Sequence, residues 1–309
     1  MYINSAAKLY GIIGDPVAHS LSPLLHNTLA ARMGHQMMYT TFPVPGGKVS
    51  KLIHGVRASV YDSNLELSIH GAYALGIAGM NVTSPYKSAI IPYLAALDGT
   101  AAKIGVVNTI VRGEKGFIGY NTDNIGLYRA MQSESLEIKG ADIVILGAGG
   151  AGRAAAFLCV EKEARNIFIL NRTANKAASL AKEVNDAMQT NCLSGMGLSD
   201  FKSLPRQNLI AIQSTSIGMH PYENEAPIND SSFYERIAAG IDMIYNPAET
   251  IFMKNLKKAG GKAVNGLKML LYQGIAAYEL WNQEAVPDKY IDMVYKELIN
   301  ASKSKSGPE

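Results

Sequence analysis

The feature that most constrains this 309-residue chain is a repeated alternation between short runs rich in Ile and Val and longer stretches of helical periodicity. Short apolar runs of this kind form strands that helices cover on both faces, which is the arrangement of a parallel sheet. The pattern excludes all-α and all-β folds and predicts an α/β protein. The predicted strands span residues 9–13, 38–42, 77–82, 106–111, 142–146, 166–170, 208–213, 240–244 and 262–264.

Length and composition narrow the class further. A chain of 309 residues exceeds one comfortable hydrophobic core, which predicts two domains. The net charge of +3 is spread along the chain without a basic tract, so small molecules are expected as partners and nucleic acid is not. Two cysteines provide no disulfide framework and suit the cytoplasm. No metal-ligand spacing occurs, so no metal is expected.

Neither a signal peptide nor a membrane span is expected. The N-terminus lacks a basic region followed by a long apolar one. The most apolar window, 141–160, contains several glycines and Arg153, which indicates a buried strand, a turn and a packed helix. The tail 301–309 is polar and of low complexity, and we expect it to be disordered.

The first helix carries clear boundary signals. In "HSLSPLLHNTLAARMG", Ser22 stands where an N-cap is expected and Pro23 occupies the first helical position. Gly34 follows as the residue that ends the helix.

A glycine-rich turn follows the strand at 142–146. Gly147, Gly149 and Gly152 have GxGxxG spacing and precede a helix-forming run. Glycine permits a tight turn, close approach of the backbone to a pyrophosphate and packing of the helix on the strand. A purely structural glycine turn is the alternative, but the strand and helix on either side favour a dinucleotide site.

The next strand indicates which dinucleotide is bound. NAD-binding proteins usually place an acidic residue at its end, whereas this chain has Asn171, Arg172 and Thr173. A guanidinium pairs with a 2′-phosphate that a carboxylate would repel. These residues favour NADP over NAD. The alternative is that Arg172 is a solvated loop residue beside an N-cap at Thr173.

An ordered series of motifs completes the pattern: "GDPVAHSLSP", "NVTSPYK", "VVNTI", "GYNTDNIG", "GAGGAGRA", "NRT", "STSIGM" and "GLKMLLYQG". Together they run from Gly14 to Gly274 and resemble the shikimate dehydrogenase family, including its quinate/shikimate members. The resemblance implies reversible NADPH-dependent reduction of 3-dehydroshikimate to shikimate, in aromatic amino-acid biosynthesis. NAD remains a second cofactor candidate, and a monomer or a homodimer is expected.

The resemblance also implies site residues. Lys87 and Asp123 would be the catalytic pair. The substrate-binding residues implied are Ser20, Ser22, Thr83, Lys87, Asn108, Asp123 and Gln273. The cofactor-binding residues implied are Gly147, Gly149, Gly150, Ala151, Gly152, Asn171, Arg172, Thr173, Met219 and Gly266.

Physical chemistry agrees with the catalytic assignment. Hydride delivery to a ketone creates an alkoxide, which a lysine ammonium at position 87 could stabilise and protonate. The carboxylate of Asp123 would hold that ammonium in place and favour its charged form. Ser, Thr, Asn and Gln supply the donors and acceptors that a hydroxyl-rich substrate needs.

Each of these residues also has a structural alternative. Lys87 could be a solvated charge, and Ser22 and Asp123 could be helix N-caps. Asn108 and Asn121 could be turn residues, and Gln273 could be a core amide. The order of the whole set favours the functional interpretation.

The chain departs from the family pattern in two places. The segment 43–78 is longer than the usual connection by about a helix, which predicts a reshaped part of the substrate domain. Gln213 and Ser214 stand where the family typically has Asn-Ala, which predicts altered contacts near the nicotinamide.

The resulting hypothesis is a two-domain α/β enzyme. Residues 1–122 and 266–309 would form a substrate-binding domain with a mixed or parallel sheet, and residues 123–265 would form a doubly wound Rossmann domain for NADP. The reacting carbon would lie in the cleft between the domains. Two alternatives stay open: a quinate/shikimate dehydrogenase of dual substrate use with NAD, and a non-catalytic ligand-sensing protein on the same scaffold.

Overall fold

The structure is a computed structural model that describes residues 4–46 and 63–304. The chain divides into two compact units, which are described separately. The first comprises Met1–Thr122 and Gly274–Val294, and the second comprises Asp123–Gln273 and Tyr295–Glu309. Both units are α/β, which confirms the predicted fold class. Part of the segment predicted to be reshaped, residues 47–62, lies outside the described residues.

The first unit is built on a mixed six-stranded sheet in the order β2-β1-β3-β5-β6-β4. β1 is parallel to both β2 and β3, whereas β5 is antiparallel to β3 and β6. The strands are β1 Lys8–Gly14, β2 Met37–Pro43, β3 Gly79–Val82, β4 Ala96–Leu97, β5 Thr109–Arg112 and β6 Phe117–Tyr120. The helices between them are α1 Ser22–Met33, α2 Asn64–Ala74 and α3 Gly99–Ile104.

The start of α1 differs from the prediction by one residue. Leu21 is the N-cap, because its carbonyl already accepts the Leu25 N–H at 3.1 Å, and Ser22 is therefore the first helical residue. The Oγ of Ser20 accepts the Ser22 N–H at 3.2 Å. Gly34 ends the helix as predicted, with a left-handed φ of 75°.

The second unit is built on a parallel six-stranded sheet in the order β12-β11-β10-β7-β8-β9. This is the strand order of a Rossmann fold, with the change of direction at the central strand β7. The strands are β7 Asp142–Leu146, β8 Asn166–Asn171, β9 Leu193–Gly197, β10 Leu209–Gln213, β11 Ile237–Asp242 and β12 Lys262–Val264. α4 Asp123–Ser133 precedes the first of these strands, and the helices between them are α5 Gly150–Glu161, α6 Ala174–Met188, α7 Ser231–Tyr234 and α8 Ile251–Lys258.

Two long helices complete the chain, α9 Leu267–Asn282 and α10 Asp288–Ser304. α10 continues through residues 301–304, so the prediction of disorder was wrong there, and residues 305–309 lie outside the described residues. Among residues 4–46 and 63–304, no helix combines the length and apolar character needed to cross a membrane.

All nine predicted strands overlap observed ones, but three observed strands were missed: β4, β6 and β9. β4 has only two residues, and the sequences of β6 and β9, FIGY and LSGMG, contain glycine instead of an Ile/Val run. By contrast, β7 reads DIVIL and every one of its residues is buried. The missed strands all lie at or next to a sheet edge and lack an apolar run, whereas the edge strands β2 and β12 were predicted together with the central ones.

Candidate active site

The loop after β3, residues 83–87, is the first element of the candidate site, and we call it the lysine loop. The Thr83 N–H donates to Ile13 O at 2.9 Å, and the Tyr86 N–H donates to Thr83 O at 2.9 Å. The buried Tyr86 hydroxyl donates to Val44 O at 2.7 Å. Lys87 accepts the Val107 N–H on its carbonyl at 2.8 Å. Both ends of this loop are thus tied to neighbouring segments, which fixes the backbone of Lys87.

The loop after β1 lies beside the lysine loop because β1 and β3 are parallel neighbours. The Asp15 N–H donates to Ser84 O at 3.1 Å, which joins the two loops directly. A Cβ on Gly14 would lie 2.3 Å from Thr83 Cγ2, so only glycine permits this approach. The same loop leads into Ser20 and Ser22. The loops that carry two distant motifs, the one after β1 and the one after β3, therefore lie side by side at the carboxyl end of these parallel strands.

Asn108, directly before β5, is buried in a network of polar side chains. Its Oδ1 accepts the Thr122 N–H at 2.7 Å and the Thr109 hydroxyl at 3.2 Å. Its Nδ2 donates to Thr122 Oγ1 at 3.0 Å. The Val82 N–H donates to Asn108 O at 2.8 Å, so Asn108 also lies next to the end of β3. The side chain of Asn108 is therefore held in one orientation by groups of the protein.

The network extends to Tyr39 on β2. Asn81 Nδ2 donates to Thr109 Oγ1 at 3.0 Å, and the Tyr39 hydroxyl donates to Asn81 Oδ1 at 2.7 Å. Burial raises the pKa of Tyr39 well above its usual range, and a side-chain hydrogen bond with Ser22 opposes this less strongly. We call Tyr39, Asn81, Thr109, Asn108 and Thr122 the polar chain.

In the second unit, Asp123 and Gln273 lie on neighbouring helices. Asp123 is the first residue of α4 and is buried. Gly126, one turn later, lies so close to α9 that a Cβ there would be 2.6 Å from Gln273 Cβ. Residues three apart share one face of a helix, so Asp123 and Gln273 are brought to the same side of α4.

The predicted glycine turn joins β7 to α5. Gly147 has a φ of +110°, which side-chain-bearing residues rarely adopt, and a Cβ on Gly152 would lie 2.2 Å from Gly147 O. At Gly149, the N-cap of α5, a Cβ would meet no atom within 4 Å. The first turn of α5 contains no acidic residue. The turn thus leaves room for an anion at a helix N-terminus.

The residues predicted to select the cofactor follow β8. Arg172 and Thr173 are exposed, and Asn171 Nδ2 donates to Thr173 O at 3.1 Å. Thr173 occupies the N-cap position of α6, but its hydroxyl makes no capping hydrogen bond. The N-cap position that the structural alternative gave to Thr173 is therefore confirmed, although no side-chain hydrogen bond accompanies it.

Gln213 and Ser214, which depart from the family pattern, organise the loop after β10. The Oε1 of buried Gln213 accepts the Thr215 N–H at 2.6 Å, and its Nε2 donates to Ile217 O at 3.0 Å. Ser214 Oγ donates to Leu146 O at 2.8 Å, beside the glycine turn. Met219, in the same loop, is 43% exposed and available for contact with a ligand.

Gly266, the last predicted cofactor residue, precedes α9. A Cβ there would lie 2.1 Å from Met243 O, and its N–H donates to Ile244 O at 2.9 Å. Nearby, buried Asp242 accepts the Thr250 hydroxyl at 2.6 Å and the Ile244 N–H at 3.0 Å. Burial raises the pKa of Asp242 to about 6, although both hydrogen bonds lower it. Asp242 therefore anchors the segment that Gly266 packs against.

The predicted site residues fall into two sets. Ser20, Ser22, Thr83, Lys87 and Asn108 belong to the first unit, and the remainder, including Asp123 and Gln273, belong to the second. The sequence interpretation missed Asn81, Thr109 and Thr122, although each lies inside a motif that it quoted. Their signal was a polar residue at a buried strand or loop position. Tyr39 carried no motif signal.

Comparison with known proteins identifies the family. A model described as "Shikimate dehydrogenase substrate binding domain" matches residues 12–110, and one described as "Shikimate / quinate 5-dehydrogenase" matches residues 129–225. The shikimate dehydrogenase (NADP(+)) of Methanothermobacter thermautotrophicus is 35% identical over 96% of this chain and 99% of its own. The chain belongs to the shikimate dehydrogenase family.

Two solved shikimate dehydrogenases show the same fold. One, in complex with NADP+, has 38% sequence identity and a TM-score of 0.81, and the match covers 96% of this chain and 97% of the other. The enzyme from Listeria monocytogenes, in complex with shikimate and NAD, has 28% identity and a TM-score of 0.80, with 95% and 98% covered. In the described ranges, 4–46 and 63–304, no group of three or more His, Cys, Asp or Glu could hold a metal ion.

Proposed function

We propose that this chain catalyses the reversible reduction of 3-dehydroshikimate to shikimate with NADPH. The observation that carries the proposal is the 35% identity to an NADP-dependent shikimate dehydrogenase over 96% of the chain. Lys87 and Asp123 are both present at their motif positions, which supports an active enzyme over a ligand-sensing protein on the same scaffold.

Residues 1–122 and 266–309 are proposed to bind the substrate, and residues 123–265 to bind NADP. The family match to a substrate binding domain at residues 12–110 and the Rossmann strand order of the second sheet support this division.

Substrate binding is assigned to the first unit together with Asp123 and Gln273. Ser20 and Ser22, at the start of α1, suit the substrate carboxylate because a helix N-terminus favours an anion. Thr83, Asn108 and Gln273 supply hydrogen bonds to ring hydroxyls. The bonds that tie down the lysine loop restrict the backbone motion of Thr83 and Lys87, which favours a prepared geometry.

Cofactor binding is assigned to the second unit. NADPH supplies the hydride when it is bound. Gly147, Gly149, Gly150, Ala151 and Gly152 line the turn that suits the pyrophosphate, because no side chain fills the space at Gly149. Asn171, Arg172 and Thr173 suit the 2′-phosphate, since Arg172 is exposed and no acidic residue occurs at 171–176. Met219 and Gly266 are assigned to the nicotinamide.

Lys87 is proposed to stabilise the developing alkoxide and to donate the proton to it, and Asp123 to hold the ammonium in place. In the reverse direction Lys87 accepts the hydroxyl proton. The positive charge at Nζ stabilises the alkoxide most strongly where water is excluded, because the effective dielectric constant is then low.

The decisive experiment compares oxidation rates of shikimate and quinate, each with NADP+ and with NAD+. We expect the highest kcat/KM for shikimate with NADP+. A higher value for quinate with NAD+ would replace the proposal with the quinate/shikimate alternative. Binding of shikimate and NADP+ without reduction of the nicotinamide would support a sensing protein. Lys87→Ala, purified in parallel, controls for contaminating host enzyme.

A further inference from the structure

The polar chain of the first unit connects β2 to the residue that precedes α4. It runs from Tyr39 through Asn81 and Thr109 to Asn108 and Thr122, with donor–acceptor distances of 2.7 to 3.2 Å. All five residues are buried. Burial of a polar group costs free energy unless the group is hydrogen-bonded. Five connected polar residues in an apolar core therefore call for an explanation beyond packing.

Two backbone groups determine the direction of the hydrogen bonds. The Asn108 carbonyl can only accept, so the Asn81 atom 3.4 Å from it is Nδ2. The Thr122 N–H can only donate, so the Asn108 atom 2.7 Å from it is Oδ1. Asn81 therefore donates to Thr109, and its Oδ1 accepts from Tyr39. The Thr109 hydroxyl lies 3.2 Å from Asn108 Oδ1 and 3.1 Å from Thr122 Oγ1, and the Thr122 hydroxyl also lies 3.2 Å from Asn108 Oδ1.

This direction has a chemical consequence for Asn108. A carbonyl oxygen has two lone pairs, and Oδ1 has three donors within hydrogen-bond distance: the Thr122 N–H, the Thr109 hydroxyl and the Thr122 hydroxyl. The acceptor capacity of the amide is consequently used within the protein. Any hydrogen bond from Asn108 to a ligand must then be a donation from Nδ2.

We propose that Tyr39, Asn81 and Thr109 are positioning residues that orient Asn108 as a hydrogen-bond donor to a substrate hydroxyl. The proposal rests on the proposed function and adds the direction, or polarity, of one hydrogen bond to it. The oxygen of the substrate hydroxyl accepts a hydrogen bond from Asn108 Nδ2, and that hydroxyl donates its own proton to another group. A substrate analogue with a methyl ether at this oxygen would keep the acceptor and lose only the donor.

Replacement of Thr109 tests the positioning role. Thr109→Val removes the hydroxyl without a large change of shape, so Asn108 Oδ1 loses one of its donors and Asn81 Nδ2 loses its side-chain acceptor. We expect the KM for shikimate to rise about tenfold while the KM for NADP+ stays within about twofold. Thr109→Ser restores the hydroxyl and should return the KM for shikimate to about the parent value. Tyr39→Phe, two bonds further away, should give a smaller rise.

Tyr73→Phe is the matched control for Tyr39→Phe. The Tyr73 hydroxyl also donates to a carbonyl within the first unit, Gly113 O at 3.0 Å, but it lies outside the polar chain. A general loss of stability would affect both tyrosine variants and both Michaelis constants. The positioning role affects only the KM for shikimate, and only in variants of the polar chain.

Replacement of Asn108 tests the polarity. Asn108→Asp keeps an oxygen for the Thr122 N–H and the Thr109 hydroxyl but removes the amide donor. We expect the KM for shikimate to rise by about thirtyfold or more, since a donor is replaced by a charged acceptor. A KM near that of the parent would show that Asn108 serves as an acceptor and would overturn the polarity.

The outcomes separate this inference from the function on which it rests. A parent enzyme that oxidises neither shikimate nor quinate would overturn the proposed function, and the inference with it. If the parent prefers quinate, the same comparisons are made with quinate. An active parent whose Thr109→Val variant keeps its substrate KM within about twofold, or whose Thr109→Ser variant is not rescued, would overturn the inference alone.

Discussion

The two units present their candidate ligand-binding groups in different ways. In the second unit, the turn between β7 and α5 offers backbone N–H groups and an absence of side chains, and Arg172 is exposed. In the first unit, Asn108 is buried, and its amide is held by the Thr109 hydroxyl and by the backbone N–H and hydroxyl of Thr122. The candidate nucleotide site is thus formed by residues that are consecutive in the sequence, whereas the candidate hydroxyl-binding site depends on packing between distant segments.

The largest expected effect is the loss of turnover when Lys87 of the first unit is replaced, with cofactor binding unchanged. Lys87→Ala removes the proposed proton donor, so kcat should fall about a thousandfold, within the range usual for general acid–base groups. The KM for NADP+ should change by less than about threefold. Steady-state kinetics measure both quantities. Lys115→Ala, at an exposed lysine of the same unit, is the control. Near-normal turnover of Lys87→Ala would remove this lysine from the mechanism.

A methyl group at Gly149 tests the backbone character of the second unit. A Cβ there meets nothing within 4 Å, so the fold should tolerate Ala, but the methyl group would occupy the space assigned to the pyrophosphate. Loss of two phosphate hydrogen bonds of about 1.5 kcal/mol each would raise the KM for NADP+ about a hundredfold.

Gly99→Ala is the matched control for Gly149→Ala, because a Cβ at Gly99 also meets nothing within 4 Å and Gly99 lies in the first unit. Thermal unfolding should give the parent Tm for both variants. An unchanged KM for NADP+ in Gly149→Ala would show that the pyrophosphate does not approach this turn.

Cofactor selection provides a third test of the second unit. Arg172→Ala removes the guanidinium proposed to pair with the 2′-phosphate, a charge-assisted contact worth about 2 kcal/mol. The KM for NADP+ should therefore rise about thirtyfold, and the KM for NAD+ should hardly change. Arg206→Ala, at another exposed arginine of the same unit, should alter neither constant. Equal effects on NADP+ and NAD+ would contradict the assignment.

The smallest expected effect concerns stability and pH. His26, on α1, is fully buried against Tyr39 with ring centroids 4.3 Å apart, and neither ring nitrogen has a hydrogen-bond partner among the described residues. Burial lowers the pKa of His26 to about 3, and the nearby Asn81 opposes this only in part. The unfolded chain binds the proton near pH 6.5, so protonation favours unfolding. This contribution is complete above pH 6.5 and is lost as the pH falls.

His26→Phe keeps a ring against Tyr39 and removes the titrating group. Between pH 6.5 and pH 5.5 the parent should lose about 1 kcal/mol more of its free energy of unfolding than the variant does. Denaturant unfolding at both pH values measures the difference. Asp242 in the second unit has the opposite effect, because its raised pKa reduces stability as the pH rises through about 6. This contribution is the same in the parent and the variant, so it cancels when their free energies of unfolding are compared. Parallel pH profiles would contradict the expectation.

The sequence interpretation was most accurate where a structural feature leaves a pattern in consecutive residues. β7, the glycine turn and the segment after β8 were predicted from consecutive residues, because a buried parallel strand and a phosphate-binding turn each leave a local pattern. The N-cap of α1 was misplaced by one residue, since Ser20 and Ser22 both suit a helix start and only the observed hydrogen bonds distinguish them.

The sequence alone determined the α/β class, the position of the glycine turn and the motifs that contain Lys87 and Asp123, and it is the source of the proposal that Arg172 pairs with a 2′-phosphate. Only the tertiary structure determined that the loops after β1 and β3 are joined, that β5 runs antiparallel to β3, and that Asn108 is held by Thr109 and Thr122. The physical reason is that propensity, glycine geometry and charge act over a few residues. The direction of a hydrogen bond between two amides depends on neighbours that the chain supplies from distant strands.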